Sequence, residues 1–401
     1  EITTRLVGSE MCIRDRFLYT LRMIIYFFLL LLTLLGHYGN PNGNNIKMWY
    51  IINFVMAFFI CCGYTTGSDW RGYEYQYYDY RPFDFYTEPG FVILQSVFQL
   101  LKIDFWHFAL LIKFALYTII IKAIKEYVGF NCYFSLAYFY VLIGLFGFID
   151  FPMRNMISVC IALYCFKYYC SEQKMKYFFF AGLSACFHYS GILMFLIYFI
   201  RLEGIGNRSL VLLFVIFNIA ISFIDIYLFN YINNLLDGSF AQYYMDAYFS
   251  DEEGTLGKGI SMGYLMHIIF FLGIIKYRKE IQQLRYGKAL LLCGVLYPFL
   301  YRIGLTFWIF GRFELFVGIL YCCAVGYILK FVPYKRTVIK VSFFYFALLV
   351  YTNITSSYKF IPYTNYFFEI GNDWTYYQRD NYNLKPVSYT HLRAHETRSN
   401  L

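Results

Sequence analysis

Charged side chains are scarce in this sequence of 401 residues. Asp, Glu, Lys and Arg together supply 15% of the chain, whereas hydrophobic residues supply 60% and the mean hydropathy is +0.49. Soluble domains of this length contain a much larger fraction of charged residues. The composition therefore excludes a soluble globular domain. The chain consists instead of apolar runs of roughly 15 to 25 residues, separated by short polar joints, which are typical of transmembrane helices. The sequence therefore predicts an all-α polytopic integral membrane protein with about ten to twelve transmembrane or re-entrant helices.

Several motifs are also absent. The 11 cysteines lie mostly inside apolar runs, without the paired spacings and histidine partners of a zinc site, and we interpret them as lipid-facing or packing residues. No nucleic-acid motif accompanies the net charge of +9, which we interpret as orientation information. No Asp-x-Asp pair stands in a predicted outer loop, so we expect neither an essential divalent metal nor another cofactor.

The two ends of the chain differ from its Phe- and Tyr-rich body. Residues 1–16 and 386–401 are polar, poor in aromatic residues and similar to translated adaptor sequence, so they are excluded from the fold. We expect the native chain to start at Met23 and residues 17–385 to form a single polytopic transmembrane domain.

The length criterion predicts about eleven apolar segments, with a further one near the end of the chain. They are Ile24–Leu35, Trp49–Cys62, Phe91–Ile103, Phe108–Ile121, Tyr133–Phe148, Met156–Tyr169, Tyr177–Ile200, Leu210–Phe229, Gly263–Ile275, Leu290–Phe307, Glu314–Phe331 and Val341–Tyr351.

Clusters of Lys and Arg indicate which joints face the cytoplasm. They lie at Lys122–Lys125, Lys167–Lys176, Lys276–Lys288 and Lys330–Lys340. We use "the charge rule" for the tendency of Lys and Arg to collect on the cytoplasmic side of a membrane. If Tyr177–Ile200 crossed the membrane once, the Lys276–Lys288 cluster would lie outside after two further crossings, against this rule. The segment is too short for two crossings of about 20 residues each, so one solution is a re-entrant or broken-helix hairpin with Phe187-His188-Tyr189-Ser190 near its apex. The alternative is that another segment does not span.

The same scheme assigns the outer face. It places outside the Gly67–Gly90 loop, the Asp150–Arg154 turn, the Asp225–Met262 stretch and the tail from Thr352 onward. The N-terminus is placed outside as well, and Phe91–Ile103 then becomes a short helix that re-enters from the outer face.

Two carboxylates border the Gly67–Gly90 loop. Asp69 follows Gly-Ser and precedes Trp70, which favours a turn that holds a carboxylate beside an aromatic platform suited to sugars, with Tyr73 close by. Glu88 precedes a Pro-Gly pair, and two carboxylates flanking an outer cavity are what a general base and an orienting partner require. The alternatives are structural: a solvated turn Asp beside an interfacial Trp, and a carboxylate at a helix start.

Arginine side chains at membrane level on the outer face are unusual under the charge rule. Their presence there therefore predicts that they bind an anionic ligand. Arg154, Arg302 and Arg312 are the candidates, because a guanidinium binds phosphate or diphosphate with a planar fork. For Arg312 the alternative is an ion pair with Glu314 or helix capping. For His188 the alternative is a structural role, in which its side chain only forms a hydrogen bond to a neighbouring helix.

The order of these motifs along the chain resembles that in a known protein family. The motifs are Gly67-Ser68-Asp69-Trp70 with Tyr73, Glu88-Pro89-Gly90-Phe91, Met153-Arg154-Asn155, Phe187-His188-Tyr189-Ser190 and Ile361-Pro362-Tyr363. In order and spacing, over most of the chain from about Met23 to Asn383, this set resembles the EpsG-type branch of the Wzy-like polysaccharide polymerases.

The resemblance implies assembly of exopolysaccharide, capsule or O-antigen from undecaprenyl-diphosphate-linked repeat units at the outer face of the bacterial inner membrane. It also implies a fold like that of lipid-dependent (GT-C-like) glycosyltransferases. The implied partners are the lipid-linked oligosaccharide and membrane lipid, with a chain-length regulator and a flippase as further candidates, and no nucleic acid. The chain departs from the family pattern at Tyr64-Thr65-Thr66, where an Arg often precedes the Gly-x-Asp motif, so the resemblance does not assign substrate anchoring to that position.

The chemistry fits the residues. A glycan on a diphosphate already has a good leaving group, so the catalyst needs cationic donors for the diphosphate and a base for the acceptor hydroxyl. Arg154, Arg302 and Arg312 supply the donors. Asp69 supplies the base, with Glu88 or His188 as second candidate.

Two functions from other classes compete with the polymerase. A polysaccharide or lipid flippase would also use intramembrane Arg and broken helices, but it predicts an internal repeat that the sequence does not show. A membrane O-acyltransferase would use His188, near a second polar residue on a neighbouring helix.

Overall fold

The structure is a computed structural model that describes residues 23–40, 44–79, 88–129, 131–235, 261–306, 310–355, 358–360, 363–372 and 374–380, with the backbone alone for 223–235. The adaptor-like segments at 1–16 and 386–401 lie outside these ranges, as do most of the Asp225–Met262 stretch and Ile361-Pro362 of the last motif. The division into domains therefore stays a prediction.

Within the described ranges, the regular elements are helices, and one isolated bridge joins Gly63 to Asn365. The first eight helices are α1 (Met23–Gly39), α2 (Ile46–Ile60), α3 (Trp70–Tyr78), α4 (Pro89–Leu100), α5 (Phe105–Val128), α6 (Cys132–Phe139, continued by a π-helix at Tyr140–Asp150), α7 (Met153–Cys170) and α8 (Lys174–Phe187). After a 3-10 turn at Tyr189–Ile192 follow α9 (Leu193–Ile197), α10 (Asn207–Leu235), α11 (Met262–Lys276), α12 (Arg278–Gln282), α13 (Gly287–Thr306), α14 (Gly311–Ile328), α15 (Lys335–Thr355) and α16 (Tyr366–Glu369), with 3-10 turns at Tyr358–Phe360 and Ile370–Asn372.

The predicted fold class is confirmed. Five stretches are long and apolar enough to cross a membrane: Phe105–Val128, Cys132–Asp150, Gly287–Thr306, Gly311–Ile328 and Lys335–Thr355. Shorter apolar helices, among them α1, α2, α4 and α11, accompany these five stretches. The protein is an all-α polytopic membrane protein, and the number of helices that cross the bilayer stays a prediction.

Helix ends follow capping chemistry, which apolar content does not reveal. At the start of α5, the side chain of Asp104 accepts hydrogen bonds from the N–H groups of Trp106 and His107. At its end, Gly129 adopts a left-handed conformation (φ 64°) that favours glycine and stops the helix. The helix therefore extends beyond the predicted Phe108–Ile121 segment at both ends.

The broken-helix hairpin predicted in Tyr177–Ile200 is present, and its re-entry into the membrane stays a prediction. After α8 the backbone at His188 is extended (φ −159°, ψ 132°), and the chain turns into α9. The hydroxyl of Tyr177, near the start of α8, donates to the carbonyl of Met194 in α9 at 2.7 Å, and its ring lies 4.8 Å from that of Tyr198. The chain therefore enters and leaves the hairpin at one end, and His188 lies at its apex.

The basic joints meet at one end of the molecule, which we call the basic end. Three contacts join them: Lys167 to Glu126 at 3.5 Å, Lys288 to Glu172 at 2.9 Å, and Tyr277 to the carbonyl of Phe331 at 3.1 Å. The grouping predicted from charge is confirmed. That this end faces the cytoplasm stays a prediction.

The polar joints meet at the opposite end, which we call the site end. Helix α5 connects the two ends: the ring of Trp106 lies 5.5 Å from that of Trp70, and Glu126, at the basic end, lies about 30 Å further along the axis. Helix α4 has 12 residues, about 18 Å, too few to cross a hydrocarbon core of about 30 Å. Gly90 at its start packs against Cys186 and Gln99 near its end donates to the carbonyl of Tyr77, so both ends of α4 contact the site end.

One expectation about the site end is wrong. The sequence predicts a loop over Gly67–Gly90, whereas Trp70–Tyr78 forms helix α3. Tyr73, Glu74 and Tyr77 are buried, so one face of this helix packs against the protein. The low hydrophobicity of the stretch gave no indication of that packing.

Candidate functional site

Two cavities of similar size lie side by side at the site end. The polar cavity is lined by Ser68, Asp69, Gly72, Tyr73, Gln76, Pro152, Arg154, Asn155, His188 and Arg312. The apolar cavity is lined by Asp69, Val141, Leu142, Leu145, Phe146, Asp150, Pro152, Tyr301, Gly304, Leu305, Gly311, Arg312, Glu314, Leu315, Asn353, Lys359 and Phe360. Their volumes are about 480 and 470 Å³. Because Asp69, Pro152 and Arg312 line both, the cavities together suit a molecule with a polar head and an apolar tail.

A buried carboxylate links two polar groups of the polar cavity. One oxygen of Glu88 (Oε2) accepts a hydrogen bond from Nη1 of Arg154 at 2.6 Å, and the other (Oε1) lies 2.7 Å from Nδ1 of His188. The side chain of Glu88 is 3% exposed, so water does not compete with these bonds. We call these three residues the Glu88 cluster.

The local sequence explains how the Glu88 cluster assembles. Glu88 directly precedes Pro89, which is pre-organised for the first position of α4, and its extended backbone directs the chain into that helix. Arg154 is the second residue of α7, which begins after Phe151 adopts a left-handed conformation (φ 56°). His188 stands where α8 breaks. Each side chain therefore comes from a helix end at the site end of the molecule.

The Glu88 cluster keeps its carboxylate ionised. Burial alone would raise the pKa of Glu88, but the hydrogen bond from His188 and the charge of Arg154 outweigh it and lower the pKa below its ordinary value. Because an ionised carboxylate only accepts hydrogen bonds, Nδ1 of His188 carries a proton. In the neutral ring, Nε2 is then left as an acceptor.

Asp69, which also lines the polar cavity, belongs to a second cluster. Oδ1 of Asp150 accepts from the backbone N–H of Ser68 at 2.7 Å and from its hydroxyl at 2.8 Å, while Oδ2 pairs with Nζ of Lys359 at 2.9 Å. The hydroxyl of Ser68 also lies 3.2 Å from Oδ1 of Asp69. We call Ser68, Asp69, Asp150 and Lys359 the Asp69 cluster.

Gly67 allows the Asp69 cluster to form. Its φ of +91° is one that residues with a Cβ rarely adopt, and its N–H donates to the carbonyl of Lys359 at 2.7 Å. A Cβ at this position would lie 2.3 Å from the carbonyl oxygen of Ile149 and 2.7 Å from Cα of Asp150. The glycine of the Gly-Ser-Asp motif is therefore required by a close approach between two backbones.

The electrostatics of Asp69 are opposite to those of Glu88. Burial is the main cause that raises the pKa of Asp69 above its ordinary value, and the negative charge of Asp150 adds to it. The positive charges of Lys359 and Arg312 offset part of this effect. Asp69 therefore binds a proton more readily than an exposed aspartate does.

The structure brings two of the three predicted arginines to the cavities. Arg154 lines the polar cavity with its guanidinium 5.7 Å from the ring centroid of Tyr73, and Arg312 lines both cavities. Nε of Arg154 and Nδ2 of Asn155 are buried and lack a hydrogen-bond partner among the residues that the structure describes. Such donors favour an anionic or hydroxyl-rich ligand.

The third predicted arginine lies elsewhere. Arg302 donates to Thr306 at 3.2 Å and to Ser222 at 3.1 Å and lines neither cavity, so the structure does not bring it to Arg154 and Arg312.

The predicted sugar platform at Trp70 is buried. Its ring is 5% exposed and packs on Trp106, and its N–H donates to the carbonyl of Thr65 at 3.1 Å. Of the two predicted aromatic contacts, Tyr73 lines the polar cavity and Trp70 lines neither cavity. Stacking of a sugar on Trp70 stays a prediction.

Sequence reasoning did not identify Asp150, Asn155 or Lys359 as site residues. Asp150 ends an apolar run just before Pro152, and a lone carboxylate at that position could have drawn attention. Lys359 lies in the C-terminal region and gives no such signal. Among the residues described, no three of His, Cys, Asp and Glu come close enough to hold a metal ion, and independence from metal stays a prediction.

Comparison with known proteins identifies the family of the chain. The sequence model of the EpsG family matches residues 46–365, which is most of the chain and includes both clusters. No curated protein and no solved structure matches the chain. Because the match covers well over half of the sequence, the chain belongs to the EpsG family, a Wzy-like polymerase family.

Proposed function

We propose that this protein is a polysaccharide polymerase of the bacterial inner membrane. It transfers a growing glycan from an undecaprenyl-diphosphate carrier onto a lipid-linked repeat unit at the outer face. One observation carries the proposal: the polar cavity places a carboxylate of raised pKa, Asp69, with Arg154 and Arg312, and adjoins an apolar cavity. Membership of the EpsG family supports a polymerase.

Asp69 is the proposed general base. As the hydroxyl oxygen of the acceptor sugar attacks the anomeric carbon of the donor, Asp69 takes the hydroxyl proton. The bond between that carbon and the diphosphate oxygen breaks, and its electron pair leaves with the diphosphate. A base works best when its pKa lies near the operating pH, so the raised pKa of Asp69 suits this role.

Arg154 and Arg312 are the proposed donors to the leaving diphosphate. Charge accumulates on the diphosphate oxygens in the transition state, and fixed cations in a site that excludes water stabilise that charge most effectively. Nε of Arg154 and Nδ2 of Asn155 are available for this purpose because their hydrogen-bonding capacity is unused among the described residues.

Glu88 has a positioning role in this proposal. Both of its oxygens are engaged, one by Arg154 and the other by His188, and its lowered pKa makes it a weak base. It orients the guanidinium of Arg154 toward the ligand. His188 is the second candidate for the base, because Glu88 holds its Nδ1 and leaves Nε2 of the neutral ring as an acceptor.

The apolar cavity is the proposed site for the isoprenoid part of the carrier next to its diphosphate. Side chains of the π-helix, including Leu142, Leu145 and Phe146, form one wall, and Leu305 and Leu315 contribute from α13 and α14. A flippase that delivers the lipid-linked units and a chain-length regulator are the proposed protein partners.

The test is Arg154→Lys, which keeps the charge but loses the planar fork. We expect the polymerisation rate of purified protein with lipid-linked repeat units to fall by about a hundredfold. In cells, single repeat units should accumulate on the lipid carrier at unchanged protein level. Arg302→Lys is the matched control, because Arg302 lines neither cavity, and it should polymerise at nearly the wild-type rate. Normal polymer from Arg154→Lys would contradict the proposed role of Arg154.

An O-acyltransferase remains the second candidate function because His188 does lie beside a polar residue from a neighbouring helix, Glu88, at 2.7 Å. His188→Gln with Asp69→Asn distinguishes the two functions. If His188→Gln alone removes activity, and the lost product is an acylated glycan rather than a longer one, the acyltransferase is favoured.

A further inference from the structure

A third concavity lies on the opposite side of α3 from the polar cavity. It is lined by Glu74, Tyr75, Tyr78, Asp79, Tyr376 and Arg379, and we call it the tyrosine groove. Its volume is about 490 Å³, similar to that of either cavity of the candidate site.

One short helix separates the groove from the polar cavity. Successive helical residues are rotated by about 100°, so Gly72, Tyr73 and Gln76 share one side of α3, which lines the polar cavity. Glu74 and Tyr75 project from the other side, which lines the groove. A chain in the groove would therefore lie within one helix diameter, about 10 Å, of the site where bonds form.

The groove is rich in exposed aromatic rings. Tyr75 is 60% exposed, Tyr78 is 61% exposed and Tyr376 is 43% exposed. The C–H faces of sugars stack on such rings, and phenolic hydroxyls add hydrogen bonds to sugar hydroxyls.

Beside the rings lies a buried ion pair between Glu74 and Arg379. Glu74 is 4% exposed, and its Oε1 accepts a hydrogen bond from Arg379 at 2.5 Å. The Glu74–Arg379 pair supplies a charged part of the groove lining beside the tyrosine rings.

The segment 374–380 completes the groove. Arg379 pairs with Glu74, and Asp380 pairs with Arg71, so two ion pairs hold this segment against α3. Tyr376 is thereby brought to the side of the helix that carries Tyr75.

We propose that the tyrosine groove binds a saccharide chain, the glycan that the protein is extending, and holds it beside the active site. This inference rests on the proposed function and specifies a second substrate-binding region for it. The groove carries two acidic side chains against one basic one, which disfavours the anionic headgroup of a lipid as its occupant. Retention of the glycan there favours repeated transfers before release and therefore longer polymer.

The test uses Tyr75→Ala and the double variant Tyr75→Ala/Tyr376→Ala. The probe is an oligosaccharide released by mild acid from the host's own polymer, and equilibrium dialysis measures its binding to purified full-length protein in detergent. Loss of one stacking ring should weaken binding by about three- to tenfold. In cells the double variant should make distinctly shorter polymer from an unchanged total of repeat units.

Two controls accompany these variants. Tyr75→Phe keeps the ring and should bind nearly as wild type, whereas Tyr351→Ala removes a ring that is 51% exposed on α15 and should change neither binding nor length. Unchanged oligosaccharide affinity in the double variant would overturn the proposal. So would complete loss of polymer with accumulated single repeat units, because that result would assign the tyrosines to the active site.

Failure of the proposed function gives a different result. A wild-type protein that does not join lipid-linked units, but still binds the oligosaccharide through Tyr75, would refute the polymerase and retain the groove.

Discussion

The Asp69 cluster and the Glu88 cluster adjoin the same polar cavity, yet they give their carboxylates opposite acidities. Glu88 accepts from a guanidinium and an imidazole, and its pKa is lowered; Asp69 lies in buried surroundings near another carboxylate, and its pKa is raised. Two carboxylates whose pKa values are driven apart commonly divide the tasks of a site. In the proposed function, proton transfer therefore belongs to Asp69 and positioning to Glu88.

Asp69→Asn tests this comparison with the largest expected effect. The amide is nearly isosteric but cannot accept the proton of the acceptor hydroxyl, so the polymerisation rate should fall by at least about a hundredfold. Purified protein with lipid-linked repeat units provides the measurement. Asp104→Asn is the matched control, because Asn also caps a helix well and α5 should keep its start. A silent Asp69→Asn would reverse the assignment of the two clusters.

Glu88→Gln should have a smaller effect, about tenfold. The amide oxygen can still accept from Arg154, but its NH₂ group can pair with His188 only if the imidazole changes tautomer and Nδ1 becomes the acceptor. The helix start at Pro89 is unaffected. Comparing KM and kcat with those of Asp69→Asn separates positioning from proton transfer, and a loss as large as that of Asp69→Asn would mean that Glu88 takes part in the chemistry.

The smallest expected effect is a shift of the pH profile. Because the base must be deprotonated, activity should rise with pH through the pKa of Asp69, which burial raises above its ordinary value. Asp150→Asn removes a negative charge that raises this pKa, so the acid limb should move to lower pH. Lys359→Gln removes a positive charge that lowers it, so the limb should move to higher pH. Shifts of both variants in one direction would show that another group controls the limb.

Much of the fold could be predicted because membrane segments follow simple rules of length and charge. The basic joints favoured a return of Tyr177–Ile200 to the end from which it entered, with a non-spanning segment elsewhere as the alternative, and the contact between Tyr177 and Tyr198 shows the return. Helix ends were less accessible, since the cap at Asp104 and the stop at Gly129 lie outside the apolar run.

The candidate site was predicted residue by residue but not as a set of contacts. Glu88, Arg154 and His188 were each singled out by sequence position, whereas their mutual hydrogen bonds depend on three helix ends meeting, which no local pattern encodes. Arg302 was predicted to bind an anion by the same argument as Arg154. In the structure its guanidinium instead donates a hydrogen bond to Ser222, away from the two cavities. Local chemistry identifies candidates, and tertiary packing decides between them.

The π-helix that ends at Asp150 determines how the side chains that precede Asp150 are oriented about the helix axis relative to the site. Its hydrogen bonds join residues five apart, as from the N–H of Phe151 to the carbonyl of Phe146 at 3.0 Å, so its turns are wider than those of an α-helix. Removal of one residue from this eleven-residue stretch, with the remaining residues keeping their helical geometry, would rotate whatever precedes it about the helix axis relative to Asp150. The wall of the apolar cavity, formed by Leu142 and Leu145, would then face away from Ser68 and Asp69. The length of this stretch, and not only its composition, is thus under constraint, and single-residue insertions or deletions should be tolerated far less within it than in the joints at the basic end.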